Sequence, residues 1–489
     1  MVSTSLLLAL PLALLNTSGE TPTEAPALAA ALDSILASNI SADLHFFASD
    51  AMQGRDTPSA EQRIAARFLA ARLERLGFQP AGNDGGWFWD YELPTVRVDS
   101  EGSSLQARVG EQTIDLTLGE DYAFWPGRLT IHDVTASGIC YGGTLTEEEV
   151  EGLDMEGHWL LVRSPADEDL GNLRRVTRRG KAAGVLIAPG GDLDAAAMRR
   201  RVQGYGADGA EPRLSRGRVR ESRSIPYVHL TEAAVGQLME LAGVEGLEVG
   251  AVAEVELQEV RAVAGDETAG LENVVGLWPG SDPELSKELI ILSAHYDHVG
   301  VNDEGEVFNG ADDNGSGSIC LLNVAEALTH YGPMRRSVMV IWVSGEEKGL
   351  LGSAAWTKAW AEEPYLEGLT PVVNLNIDMV GRNAPEKLMV TPTAEHEAYN
   401  GLTRLAEANR GLEGFAELQS ADAYWSRSDH ANFSQHLGIP VAFLFSDVHE
   451  DYHKVTDTPD KIDFDKVRRV ARLVVRMLDG LQGDTLDLD

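Results

Sequence analysis

Residues 288–300 read ELIILSAHYDHVG and residues 337–347 read SVMVIWVSGEE. Each is a nearly unbroken apolar run of strand length that stops at histidine or acid. The stretch PVVNLNIDMVG, residues 371–381, repeats the pattern with Asp378 at its end. Strands covered on both faces read this way. Between them, GSGSICLLNVAEALTHYG (315–332) and KGLLGSAAWTKAW (348–360) carry helical patterns. Strand and helix in alternation predict a layered α/β domain with a largely parallel or mixed sheet. In such open sheets ligands bind beyond the carboxyl ends of the strands. His295, Glu346 and Asp378 should therefore converge on one sheet edge.

Several carboxylates on one edge repel, and burying them unpaired is costly. One or two divalent cations remove the difficulty, and carboxylate with imidazole suits zinc, cobalt or manganese. His295 and Asp297 leave an extended strand on the same face, so the Asp can accept the free ring N–H of the His. In FNGADDNGSG (308–317), Gly310, Gly315 and Gly317 let the backbone bend around Asp312, whose two oxygens can bridge two ions. The same loop also reads as a helix cap by Asp313 or Asn314. Of the adjacent Glu346 and Glu347, one can ligate and the other can take a proton from water. His453, in DYHKVTDTPDKID (451–463), completes the set.

Working outward, 489 residues predict two to three domains. Hydrophobic content of 43% and charged content of 24% are those of a soluble globular protein. The net charge of -37 argues against a nucleic-acid partner, which selects basic faces. The two cysteines, Cys140 and Cys320, read as free buried thiols in different domains. The N-terminal MVSTSLLLALPLALLNTSGE has an apolar run of signal-peptide length, without a preceding Lys or Arg, and points to a secreted or periplasmic protein with no stable membrane insertion. Ser41 is placed as the N-cap of a helix over ADLHFFAS. A helix with apolar Ile64, Phe68, Leu69, Leu73 and Leu76 ends at Gly77. From about 123 to 250 short strands and short helices form a separate small α/β unit. It contains an arginine-rich stretch (Arg199, Arg200, Arg201, Arg213, Arg216, Arg218, Arg220, Arg223) that reads as a solvated loop or a lid.

The motifs SAHYDH, GADDNGSG, SGEEKGLLGS, NIDMVGR and YHKVTDTPDKID together resemble the zinc-dependent exopeptidases that include secreted bacterial leucyl aminopeptidases, glutamate carboxypeptidase II and glutaminyl cyclases. The likeness spans about Leu271–Leu481 together with ASDAMQGRD (48–56), and residues 123–250 resemble the protease-associated domain some members carry. The resemblance implies a three-layer α/β/α catalytic domain with a mixed central sheet, formed by residues 26–122 and 251–485 and interrupted by that insert, with residues 1–25 as signal peptide and linker. It implies two zinc ions, with manganese or cobalt as alternatives. Asp312 would bridge them, Glu347 and His453 would complete one site, and His295 and Asp378 the other. Glu346 would be the general base and Asp297 the orienting carboxylate. Ser428, Asp429 and His430, in AYWSRSDHANF, and Tyr452 would face a peptide substrate. The implied activity is aminopeptidase. A carboxypeptidase or dipeptidase with the same site, or a non-catalytic binding protein on this fold, are the alternatives. Oligomeric state and side-chain preference are not set by these motifs.

Overall fold

The computed structural model describes residues 25–488 apart from 125–128, 146–152, 154, 164–172, 174–176, 178–180, 189–197, 200–201, 203–205, 207–212, 215–220, 222–224, 247, 266 and 303–304. The N-terminal apolar run and most of the arginine-rich stretch lie outside the described residues.

Four parallel strands form the centre of the main sheet: Ser337–Val343, Glu288–His295, Thr370–Ile377 and Val441–Phe445, in that spatial order. Thr268–Trp278 joins Ser337–Val343 antiparallel and is flanked on its outer side by Phe88–Val98. Met389–Thr391 closes the other side, antiparallel to Val441–Phe445. The sheet is thus mixed, as expected. Every residue of Ser337–Val343 is buried, which explains its lack of alternation.

Helices cover both faces. On one face Gly317–Tyr331, Phe464–Gly480 and the N-terminal helices pack around Leu292, Trp342 and Leu375. On the other, Leu351–Glu362 and His430–Leu437 bring Trp356, Trp360 and Phe433 against Ile291 and Ile341. Helix Ala60–Leu76 starts at Ser59, whose side chain accepts the Gln62 N–H, and ends at Gly77 in the left-handed conformation (φ 82°). Ser41 is not a cap: it lies inside the continuous helix Ala37–Phe47. The real break is at Ile35–Leu36, both extended. Ile35 is buried at that break, and the Ser41 hydroxyl faces His45 Nδ1 one turn on, at 3.4 Å.

Among the described residues a second sheet has eight strands, and Val96 and Val98 of the main-sheet strand Phe88–Val98 pack into its core. Its order is Gln112–Leu116, Ser104–Val109, Val252–Arg261, His132–Tyr141, Trp159–Arg163, Gly184–Ala188, Tyr227–Leu230 and Tyr122–Phe124. The limits 123 and 250 are therefore too narrow. Val252–Arg261 pairs with both Ser104–Val109 and His132–Tyr141. Alternate buried residues of that strand, Ala253, Val255 and Leu257, join the second core. Cys140 and Cys320 are both buried, in different cores. Among the described residues no single helix is long and apolar enough to cross a membrane.

Candidate metal centre

The carboxyl ends of the parallel strands deliver the side chains. His295 is the last residue of its strand, and Asp378 directly succeeds Thr370–Ile377. Glu346 and Glu347 lie three and four residues past Val343. His295 Nε2 is 3.3 Å from Asp378 Oδ1 and 3.4 Å from Asp313 Oδ1. Asp313 Oδ2 is 3.1 Å from His453 Nε2, which is 3.0 Å from Glu347 Oε2. One oxygen of Asp313 thus faces His295 and Asp378, and the other faces His453 and Glu347. Two ligand groups with convergent atoms share this residue: His295, Asp313 and Asp378, and His298, Asp313 and Glu347.

The residue between the groups is Asp313 and not Asp312. Asp312 faces away: its Oδ1 accepts the Gly381 N–H at 2.7 Å, and its Oδ2 lies 3.2 Å from His449 Nε2. The Asp451 N–H donates to His449 Nδ1, so the His449 ring proton is on Nε2, toward Asp312. The turn is irregular, with Asp313 (φ -99°, ψ 101°) and Asn314 (φ -112°, ψ 49°) out of helical geometry. Strand or helix periodicity therefore cannot tell which neighbour points inward. Gly310 sits at φ 56°, and a Cβ there would lie 2.3 Å from the Asp313 carbonyl and 2.4 Å from the His298 ring. Only glycine lets the loop close this tightly over the site. The Asp457 carboxylate accepts the backbone N–H groups of both Asp312 and Asp313, tying this loop to the His453 loop.

His298, to which the motifs alone assign no role, is fully buried, with Nδ1 2.7 Å from Glu347 Oε1. Its spacing in H-x-D-H is the available signal. It stands beyond the end of the strand, however, where the period of 2 no longer assigns a face. Asp297 adjoins His295, but not through the contact expected of its carboxylate. His295 Nδ1 donates to the Asp297 carbonyl oxygen at 3.2 Å, and its distance to the carboxylate is 3.7 Å. The Asp297 carboxylate accepts the Glu346 N–H at 3.2 Å. Glu346 reaches into the same space, its Oε2 4.0 Å from His295 Nε2.

Ser428, Asp429 and His430 do not face a substrate space; all three are buried behind the ligands. Ser428 donates to Asp378 Oδ2 at 2.7 Å and accepts from Asn376. Asp429 accepts from Ser353 at 2.5 Å. His430 stacks on Phe443 at 4.6 Å. They orient and back the site. Tyr452 stacks on His453 with ring centroids 3.9 Å apart and also lines the cleft. Met379 (φ 51°) and His453 (φ 53°) hold left-handed backbone beside the cluster, the kind of strain that collects at functional sites.

The electrostatics fit a cation. Burial, then the charges of Glu347, Asp378 and Asp429, push the Glu346 carboxyl well above its usual range despite His295. Burial likewise raises Asp378. Burial alone would lower the His295 imidazole, but Asp378 and Glu346 carry it well above its ordinary value. Against burial, Asp313 and Glu347 raise His453 to about 10. Asp313 goes the other way: despite burial, bonds to His295 and His453, with the His298 charge, hold it well below the usual carboxylate range. Divalent cations would satisfy the same oxygens and leave the imidazoles neutral as ligands.

A buried arginine holds the frame. The guanidinium of Arg55, in the N-terminal AMQGRD, donates to the carbonyl oxygens of Phe47, Tyr296, Asn309 and Gly310 at 2.7–3.0 Å. It joins the N-terminal helices to the loops that carry His298 and Asp313. Burial lowers it to about 10. Arg55→Ala leaves four buried carbonyl oxygens without that donor and should destabilise the protein by about 3 kcal/mol. Thermal unfolding measures this. Arg55→Lys should restore little, because a point charge cannot span a planar fork of donors.

Residues 273–478 match peptidase family M28. A probable leucine aminopeptidase of Trichophyton verrucosum is 30% identical over 203 residues, 40% of this chain and 54% of that protein. Leucine aminopeptidase 2 of Trichophyton rubrum is 31% identical over 196 residues, 39% of this chain and 35% of that protein. The chain thus spans about half or less of the length of these relatives. An aminopeptidase from Aneurinibacillus sp. strain AM-1 superposes with a TM-score of 0.56 at 19% identity, over 94% of this chain and 98% of that one. A zinc aminopeptidase from Bacillus subtilis superposes equally well, 0.56 at 18% identity, over 92% and 96%. Both share the fold.

Proposed function

We propose that this chain is a zinc exopeptidase that releases N-terminal residues from peptides. The observation that carries the reading is the pair of ligand groups sharing Asp313, with Glu346 beside them and an apolar hollow next door. Asp313, Asp378 and His295 would hold one ion. Asp313, Glu347 and His453 would hold the other, with His298 fixing the Glu347 carboxylate through Nδ1. Manganese or cobalt could replace zinc in so oxygen-rich a set.

Zinc held there supplies a Lewis acid and makes a water molecule acidic enough to act as nucleophile near neutral pH. The chain's residues do the rest. Glu346 accepts the water proton through its carboxylate as the oxygen adds to the peptide carbonyl carbon. It then returns that proton to the departing amine nitrogen, so the C–N bond breaks with no net proton change. A glutamate raised by burial suits this shuttle, since a base works best with a pKa near the working pH. Asp297 holds the Glu346 backbone in place, and Ser428 keeps the second oxygen of Asp378 occupied.

The hollow lined by Met379, Tyr424, Phe443, Phe445 and Val448 opens beside Asp378 and Glu346. It suits an apolar side chain on the first residue, with the free amine toward the Asp378 carboxylate. The test is a screen of free and N-acetylated peptides that start with an apolar residue. Hydrolysis is expected only with a free N-terminus. Release of C-terminal residues from the acetylated peptides instead would overturn the aminopeptidase reading.

A further inference from the structure

Two hollows meet at the centre. Glu346, Arg427 and Tyr452 line both of them. Beyond this junction a groove of about 660 Å³ runs between helices Leu351–Glu362 and His430–Leu437, with Lys358, Gln435 and His436 along it. If the apolar hollow holds the first side chain, the groove holds the peptide on the leaving side of the cleaved bond.

The groove carries positive charge in an acidic chain. The chain has 77 acidic residues against 40 Lys and Arg, nearly two carboxylates for each cation. Three cations near the centre pair with carboxylates: Lys348 with Asp56, Arg382 with Asp451, and Lys387 with Asp447, all within 2.8 Å. Lys358 and Arg427 are exposed in the groove, and neither has a carboxylate within 4.0 Å among the described residues. With Glu346 and Glu347 at its head, an uncharged groove would repel an anionic peptide end. Two cations without a carboxylate partner reverse that.

We propose that this groove is a subsite for a substrate carboxylate, with Arg427 and Lys358 as its cations. The proposal rests on the aminopeptidase reading and names the substrate class: short peptides whose free C-terminal carboxylate lies one or two residues past the cleaved bond. A residue spans roughly 3.5 Å. Arg427, at the junction, is placed for the carboxylate of a dipeptide. Lys358, further along, is placed for that of a tripeptide. Charge-assisted bonds to a carboxylate are the stronger kind, and a bidentate guanidinium fork adds direction.

The test compares kcat/KM for leucyl-glycine and leucyl-glycyl-glycine with their C-terminal amides, in the wild type, Arg427→Gln, Lys358→Gln and the double variant. Leucyl p-nitroanilide, which has no carboxylate on the leaving side, is run alongside. The wild type should favour the acid over the amide by about tenfold, mostly through KM. The ratio should shrink in added salt and approach one in the double variant. A wild-type ratio near one, or a ratio unchanged in the double variant, overturns the subsite while anilide turnover keeps the aminopeptidase reading. No turnover of any of these substrates overturns both.

Discussion

Glu346→Gln should lower kcat by about a thousandfold while metal content stays at the wild-type level. The expectation comes from where the side chain stands. Its Oε2 is 4.0 Å from His295 Nε2, near the ligand atoms but outside both convergent groups. Glutamine has the same shape, and the bond to Asp297 comes from the Glu346 backbone N–H, so the variant keeps that anchor. What it loses is the capacity to take and return a proton. A thousandfold loss corresponds to about 4 kcal/mol of transition-state stabilisation. KM should change little, because a group acting only in the transition state lowers kcat and kcat/KM together. Stability should hold or rise: the burial and neighbouring acids that push Glu346 up also make its charge costly in the folded state. Steady-state kinetics, metal analysis and thermal unfolding on one preparation separate these effects. Turnover within tenfold of wild type, with metal bound, would remove Glu346 from the role of base.

The strand ends are legible in the sequence because burial on both faces suppresses alternation. An apolar run closed by a polar residue marks the point where the chain leaves the sheet. His295, Glu346, Glu347 and Asp378 stand out that way, and all four reach the centre. Residues in irregular backbone are harder to read. Ser428, Asp429 and His430 are set against a substrate only by the resemblance of AYWSRSDHANF to a family segment. In the fold they start a helix whose polar end is turned inward onto Asp378 and Ser353. Arg55 carries no periodic signal at all, since its partners are carbonyl oxygens 8 to 255 residues away. The second sheet exceeds its expected limits for a related reason. The strand Val252–Arg261 alternates like any half-buried strand, and only its pairing with Ser104–Val109 shows which sheet owns it.

The sharpest division lies between two adjacent carboxylates. Asp313→Asn should leave less than one metal ion per chain after dialysis and abolish turnover, whereas Asp312→Asn should retain both metal and measurable activity. Asp313 faces two groups at once, so a neutral amide there removes the shared anionic ligand from each. The carboxylates of Asp378 and Glu347 would then each lack a common counterpart, and tight binding needs the full donor set. Asp312 carries a different duty. Its Oδ1 accepts the Gly381 N–H, a bond asparagine can keep. Its Oδ2 faces the protonated Nε2 of His449, and there an amide NH2 would meet another donor. That conflict should cost about 1–2 kcal/mol of stability and reduce activity no more than about tenfold, by loosening the loop that presents Asp313. Both variants are isosteric, so differences in packing do not confuse the comparison. Metal analysis of the dialysed proteins gives the answer independently of any substrate. The reverse result, with Asp312→Asn stripped of metal and Asp313→Asn loaded, would return the bridging role to Asp312 and require the loop Ala311–Ser316 to turn over.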